Sequence, residues 1–66
     1  MEFEIDPPIQ ITGNANADQI GRSQANLHKM RYQATYKKQG YDVEVRYIVE
    51  DDLVRLFVNL TSSNHP

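Results

Sequence analysis

Three arginines and a phenylalanine are the side chains whose spacing in this sequence favours binding chemistry. Arg31, Arg46 and Arg55 lie in segments that alternate apolar and polar residues, and Phe57 follows Arg55 by two positions. A planar guanidinium pairs with a carboxylate through two hydrogen bonds, and arginine and aromatic side chains are enriched at the centres of protein interfaces. The pattern predicts a protein-binding surface formed by Arg31, Arg46, Ile48, Arg55 and Phe57.

The same residues allow a second interpretation, in which they hold single-stranded nucleic acid by charge and stacking. The formal net charge of −2 argues against binding driven by overall charge. Phe57 is the one aromatic residue of this predicted face, whereas a stacking platform usually offers more. Nucleic acid is therefore the less favoured partner. A third interpretation is that the N-terminal segment covers Ile48 and Phe57, or that they are simply exposed, which is common for single apolar side chains.

The sequence lacks the side-chain groupings that catalysis or metal binding usually requires. It contains no cysteine, two histidines (His28 and His65) and no glycine-rich phosphate loop. The acidic run at 50–52, EDD, could bind a hard cation, but it has neither the glycine nor the alternating oxygen ligands of an ion loop. A solvated turn is the favoured interpretation. We therefore expect neither an enzyme nor a bound metal or other cofactor.

Length and composition indicate one small domain. The chain has 66 residues, of which 39% are hydrophobic and 24% charged, as in ordinary folded proteins. A domain of this size buries only about 60% of its unfolded surface, so self-association is a common route to added stability. We expect a single domain over 1–61, a polar C-terminal tail over 62–66, and a homodimer as one assembly.

The cellular location is predicted from two features that the sequence lacks. No apolar run approaches the ~20 residues that span a bilayer. The N-terminal residues show no basic segment followed by an apolar one, which a secretory signal would require. We expect a cytoplasmic protein without membrane contact.

The N-terminal half predicts a strand followed by a helix. Residues 2–5 and 9–11 alternate in polarity, and Pro7 and Pro8 interrupt the alternation because proline cannot donate to a strand ladder. A helix is predicted over about 17–29, with Asn16 as its N-cap. Gly21 costs about 1 kcal/mol inside a helix, so this helix should form because it packs on a sheet.

The C-terminal half predicts a three-stranded antiparallel meander over 30–38, 42–50 and 53–61. Its first turn is Gln39-Gly40, where glycine supplies a positive φ, and its second turn is Asp51-Asp52. Folding at the second turn pairs apolar residues in four positions: Val49 with Val54, Tyr47 with Leu56, Val45 with Val58, and Val43 with Leu60. A slip by one residue would invert a strand, so this agreement supports the register.

The predicted fold is α+β, with one helix packed on the apolar face of the meander and an additional N-terminal strand. The outer face then carries Arg31, Ile48 and Arg55 in one row and Arg46 beside Phe57 in the next. The edge at 53–61 has no proline and one charge, so a partner strand or a second copy could add there. We predict a small regulatory protein-binding module that acts through the outer face or an exposed strand edge.

Overall fold

The computed structural model of this protein describes residues 1–13 and 15–62, which form one helix and a three-stranded antiparallel sheet. The elements in chain order are strand β1 (Glu2–Gln10), helix α1 (Ala17–Tyr36), a 3₁₀ turn (Lys37–Gln39), strand β2 (Tyr41–Glu50) and strand β3 (Leu53–Ser62). The predicted α+β class, with a strand before the helix, is confirmed.

The second half of the predicted meander is confirmed in its register. β2 and β3 form a hairpin that pairs Val49 with Val54 and Val43 with Leu60, as the apolar alternation predicts. Asp51 in the turn has a φ of 51°. Aspartate tolerates this left-handed conformation better than most residues, so the pair Asp51-Asp52 can close the hairpin.

The first strand of the predicted meander is wrong, because residues 30–36 are the last part of α1. His28, Tyr32 and Tyr36 follow one another at a spacing of four. That spacing satisfies the period of two of a strand and also keeps side chains on one side of a helix. The intervening residues Arg31, Gln33 and Ala34 are good helix formers, and they favour the helical solution.

Gly40 has the positive φ that was predicted, 87°, but it terminates a helix and does not close a hairpin. Its N–H donates to the Lys37 carbonyl at 3.1 Å. Left-handed glycine is typical of both helix C-termini and tight hairpin turns, so the local signal is the same. The hairpin predicted at Gln39-Gly40 is therefore wrong.

The predicted start of the helix is confirmed. The side chain of Asn16 accepts a hydrogen bond from the Gln19 N–H at 3.2 Å, and Asn16 itself has extended backbone angles. An N-cap of this kind satisfies one of the backbone donors that the first turn of a helix leaves free.

β3 is the central strand, because the sheet order is β1-β3-β2. β1 pairs with β3 at Phe3–Val58 and Ile5–Leu56, then shifts register before Ile9–Val54. The shift coincides with the two prolines of β1, which lack the N–H that a regular ladder needs. The prediction that 53–61 is an exposed edge is therefore wrong, since β1 occupies that side.

The core lies between α1 and the sheet, in two clusters that share β3. Ala25 of α1 packs with Val54 and Leu56. Tyr32 and Tyr36 pack against the cluster of Val43, Val58 and Leu60. Gly21 is buried against the Tyr47 ring, where a Cβ atom would overlap the aromatic carbons. The glycine that weakens the helix thus permits a close approach between α1 and β2.

The boundary predicted at residue 61 falls inside β3, since Ser62 still pairs with Tyr41. The remainder of the predicted polar tail, 63–66 with His65, lies outside the described residues, as does Asn14.

Candidate binding surface

Four of the five predicted binding residues lie together on the sheet face that points away from α1. The ladder between β2 and β3 sets Arg46 opposite Phe57 and Ile48 opposite Arg55. Arg31 is not part of this group, because it belongs to α1. Its predicted placement on the sheet depended on a strand at 30–38 and is wrong for that reason.

Phe57 lies beneath two guanidinium groups. The guanidinium carbon of Arg46 lies 4.4 Å from the ring centroid, and that of Arg55 lies 5.2 Å away. Both distances are within the range of cation–π attraction. The ring is half-buried by this arrangement, and it does not stand free as a stacking platform.

Three carboxylates that sequence reasoning missed bind the same two arginines. Glu2 accepts from the Nε and Nη2 atoms of Arg46, each at 3.1 Å. Glu4 accepts two bonds of 2.9 Å from Arg55, and Glu50 accepts a third at 3.0 Å. The alternation in EFEI indicated that Glu2 and Glu4 share a face, but the partner strand of β1 was unknown.

The electrostatics of this network favour the charged forms of Glu2, Glu4 and the two arginines. Hydrogen bonds from Arg46 and Arg55 hold the pKa values of Glu2 and Glu4 below the ordinary range. The bonds to Glu2 and Glu4 raise the pKa values of the two arginines in turn. Because each guanidinium already holds a carboxylate in a two-bond geometry, the face is not a vacant anion site.

The second candidate surface is the edge of β2 that faces away from β3. β2 pairs with β3 without interruption from Tyr41–Ser62 to Glu50–Leu53, and no described strand lies on its other side. An edge strand presents alternate N–H and C=O groups to solvent. The edge of β1 differs, because Pro7, Pro8 and the register shift interrupt it. β2 is therefore the edge whose geometry suits an added strand.

One ion pair spans this edge. The Lys29 Nζ atom of α1 lies 3.4 Å from the Glu44 Oε2 atom of β2. Glu44 points to the outer face, since its neighbours Val43 and Val45 point into the core. α1 packs on the opposite face of the sheet, so the Lys29 side chain must pass around the edge of β2 to reach Glu44.

Apolar side chains mark both ends of the same edge. Tyr41 is 37% exposed and Val49 is 41% exposed, and both lie on the side of the sheet that faces α1. A half-buried aromatic row leads to one of these ends: Tyr32 stacks on Tyr36 at 6.0 Å, and Tyr36 meets Tyr41 edge to face at 6.3 Å. The described residues enclose no cavity beside these rings.

Comparison with known proteins assigns no relative. Neither a protein-family model, nor a curated protein, nor a solved structure matches this chain. Within the described residues, no helix has both the length and the apolar character needed to cross a membrane.

Proposed function

We propose that this protein is a small non-enzymatic protein-binding module whose binding element is the free edge of β2. The observation that carries the proposal is the uninterrupted strand Tyr41–Glu50, which contains no proline and pairs, among the described strands, with β3 alone. An extended segment of a partner can continue the sheet there through main-chain hydrogen bonds. Side chains at alternate positions would supply specificity.

The edge is favoured over the outer face because of the internal ion pairs. A partner carboxylate that approached Arg46 or Arg55 would meet the negative charge of Glu2, Glu4 and Glu50, which already neutralises the two guanidinium groups. A nucleic-acid phosphate would meet the same carboxylates and their negative charge. Nucleic-acid binding, the alternative from the sequence, is therefore less favoured.

The proposal can be tested with a library of random linear peptides long enough to pair with β2. Selected peptides should shift the backbone amide NMR signals of β2 and slow hydrogen exchange at alternate residues along it. Signals of β1 and of the Phe57 ring should move little. Selection of no peptide at a protein concentration where the chain is monomeric, or shifts centred on Phe57 and Arg55 with β2 unchanged, would contradict the proposal.

A matched pair of variants separates the edge from general surface effects. Val49→Lys places a charge at the end of the edge strand, where lysine discourages strand addition. We expect it to weaken peptide affinity at least about tenfold, which corresponds to about 1.4 kcal/mol. Met30→Lys is the control, because Met30 is 69% exposed on α1 and does not belong to the β2 strand. Equal affinity of both variants for the selected peptides would count against binding at the edge.

A further inference from the structure

We infer that the strand that pairs with the free edge of β2 is β2 of a second copy of this chain, antiparallel about a twofold axis at Val45. The result is a continuous six-stranded sheet. This inference rests on the proposed use of the β2 edge and adds the identity of the partner. It is carried by the side-chain order along β2, which is complementary to itself when reversed.

The outer-face charges of β2 select the axis at Val45. An axis at that residue sets Arg46 of each copy opposite Glu44 of the other. Arg46 bonds to Glu2 through Nε and Nη2, and its Nη1 group can turn to the partner's Glu44, in the way that Arg55 bonds to both Glu4 and Glu50. Asp42 then faces Ile48 of the partner. No two like charges of β2 stand directly opposite each other, and opposite charges in such positions stabilise an antiparallel pair.

Neighbouring registers bring like charges together. An axis at Arg46 opposes the two Arg46 guanidinium groups and sets Asp42 against Glu50. An axis at Glu44 opposes the two Glu44 carboxylates. Like charges directly opposite each other destabilise a strand pair. The axis at Val45 avoids these contacts and still pairs the stretch 41–49 with itself.

The exposed apolar side chains fit the same axis. Tyr41 lies at the start of β2 and Val49 near its end, both on the α1 side of the sheet. An axis at Val45 places Tyr41 of each copy opposite Val49 of the other. Two apolar side chains that are 37% and 41% exposed in one chain would thus cover each other in the pair.

The residues that flank β2 carry opposite charges. Lys37 and Lys38 precede the strand, and Asp51 and Asp52 follow it. Antiparallel pairing brings the start of one β2 beside the end of the other, so the basic flank of each copy lies near the acidic flank of its partner. This attraction between exposed groups should weaken as salt rises.

In the single chain, the Lys29 side chain covers part of the β2 edge, and a second copy can displace it. Its ion pair with Glu44 joins groups whose side chains are 37% and 76% exposed, and exposed pairs of this kind contribute little to stability. In the pair of copies, Glu44 exchanges Lys29 for Arg46 of the partner. Lys29→Ala should therefore leave the fold intact and strengthen self-association.

The decisive experiment uses two complementary variants, Arg46→Glu and Glu44→Arg, in sedimentation equilibrium. The parent should move from monomer to twice the monomer mass as concentration rises. Each variant alone opposes two like-charge pairs at the axis, so its dissociation constant should rise at least about tenfold. An equal mixture restores both attractive pairs and should dimerise as a heterodimer. A mixture that stays monomeric, or single variants that dimerise like the parent, would overturn the inference.

An independent check does not depend on the folding of the charge variants. The chain has no cysteine, so Val45→Cys introduces a single thiol at the axis. Opposite residues of an antiparallel pair are close enough for a disulfide. The oxidised variant should form a cross-linked dimer, whereas Met30→Cys should not. Cross-linking of Met30→Cys alone would place the contact on α1 and contradict the assignment.

Failure of this inference is distinguishable from failure of the proposed function. A parent that remains monomeric but binds selected peptides along β2 would exclude self-pairing and leave the edge as a binding site for other proteins. A parent that neither dimerises nor binds any peptide at β2 would exclude both. Dimerisation with unprotected β2 amides would exclude self-pairing at this edge, and the proposed function would then be decided by the peptide selection.

Discussion

Single residues decide how closely the helix approaches the sheet. Gly21 allows α1 to lie close to β2, since a Cβ atom at this position would overlap the Tyr47 ring. The Tyr47 hydroxyl donates to Asp18 one turn earlier in the helix. This bond raises the pKa of the Tyr47 phenol. Together the two contacts join the start of α1 to the middle of β2.

Gly21→Ala should destabilise the protein although alanine is the better helix former. The gain in helix propensity is about 1 kcal/mol, whereas forcing a methyl group into a packed contact costs typically about 1–3 kcal/mol. Urea denaturation of this variant should show a net loss of unfolding free energy. Ser23→Ala, at an exposed position of the same helix, is the control and should show a gain of a few tenths of a kcal/mol. A more stable Gly21→Ala would mean that Tyr47 moves aside without cost.

At the scale of elements, local signals predict where structure begins and ends better than they predict its type. Asn16 starts α1 and Gly40 ends the helical segment, both as their residue types suggest. The type of the segment before Gly40 depends on which of two periods is satisfied. In the helix that forms, Tyr32 and Tyr36 pack against the same core cluster from one side.

Asn16→Ala should destabilise α1 by about 0.5–2 kcal/mol, because the first turn loses the oxygen that accepts the Gln19 N–H. Thermal unfolding followed by far-ultraviolet circular dichroism measures the loss. Asn16→Asp is the matched variant and should retain most of the stability, since aspartate caps equally well. Equal destabilisation by both substitutions would indicate a role for Asn16 other than capping.

At the scale of the whole molecule, an ion network ties the N-terminal strand to the β2–β3 hairpin. Glu2 and Glu4 of β1 bond to Arg46 of β2 and to Arg55 of β3. The Met1 ammonium also donates to the Leu60 carbonyl at 2.8 Å. The two ends of the described chain are therefore held together across the sheet, in addition to the apolar contacts beneath it.

Acid should weaken the protein through this network. The folded pKa values of Glu2 and Glu4 lie below the ordinary value of 4.5 because the arginines favour the carboxylate forms. Their contribution to stability is therefore present above pH 4.5 and is lost as pH falls through the folded values. Urea midpoints measured from pH 6 downward should fall in that range.

Glu4→Gln should reduce the fall of the urea midpoint with decreasing pH, because it removes one titrating carboxyl group. Arg55→Gln should have the same effect, because it removes the cation that lowers the pKa of Glu4. If the urea midpoint of both variants falls with pH as steeply as that of the parent, the Glu4 carboxyl titrates alike in the folded and unfolded states.

The sequence by itself determined the class of the fold, the β2–β3 hairpin with its register, and the cap at Asn16. Each of these depends on neighbouring residues: alternation along a strand, turn chemistry, or one side-chain oxygen at a helix start. It also placed Arg46, Ile48, Arg55 and Phe57 on one face, because a correct hairpin register carries its side chains with it.

Only the tertiary structure decided which strands stand at the edges and what the arginines bind. The type of segment 30–36 depended on packing, since a spacing of four suits both a helix and a strand. The pairing of β1 with β3 joins residues far apart in sequence, and no local pattern encodes it. That one pairing buries the predicted edge, brings Glu2 and Glu4 to the arginines, and leaves β2 as the strand whose hydrogen-bonding groups are open to a partner.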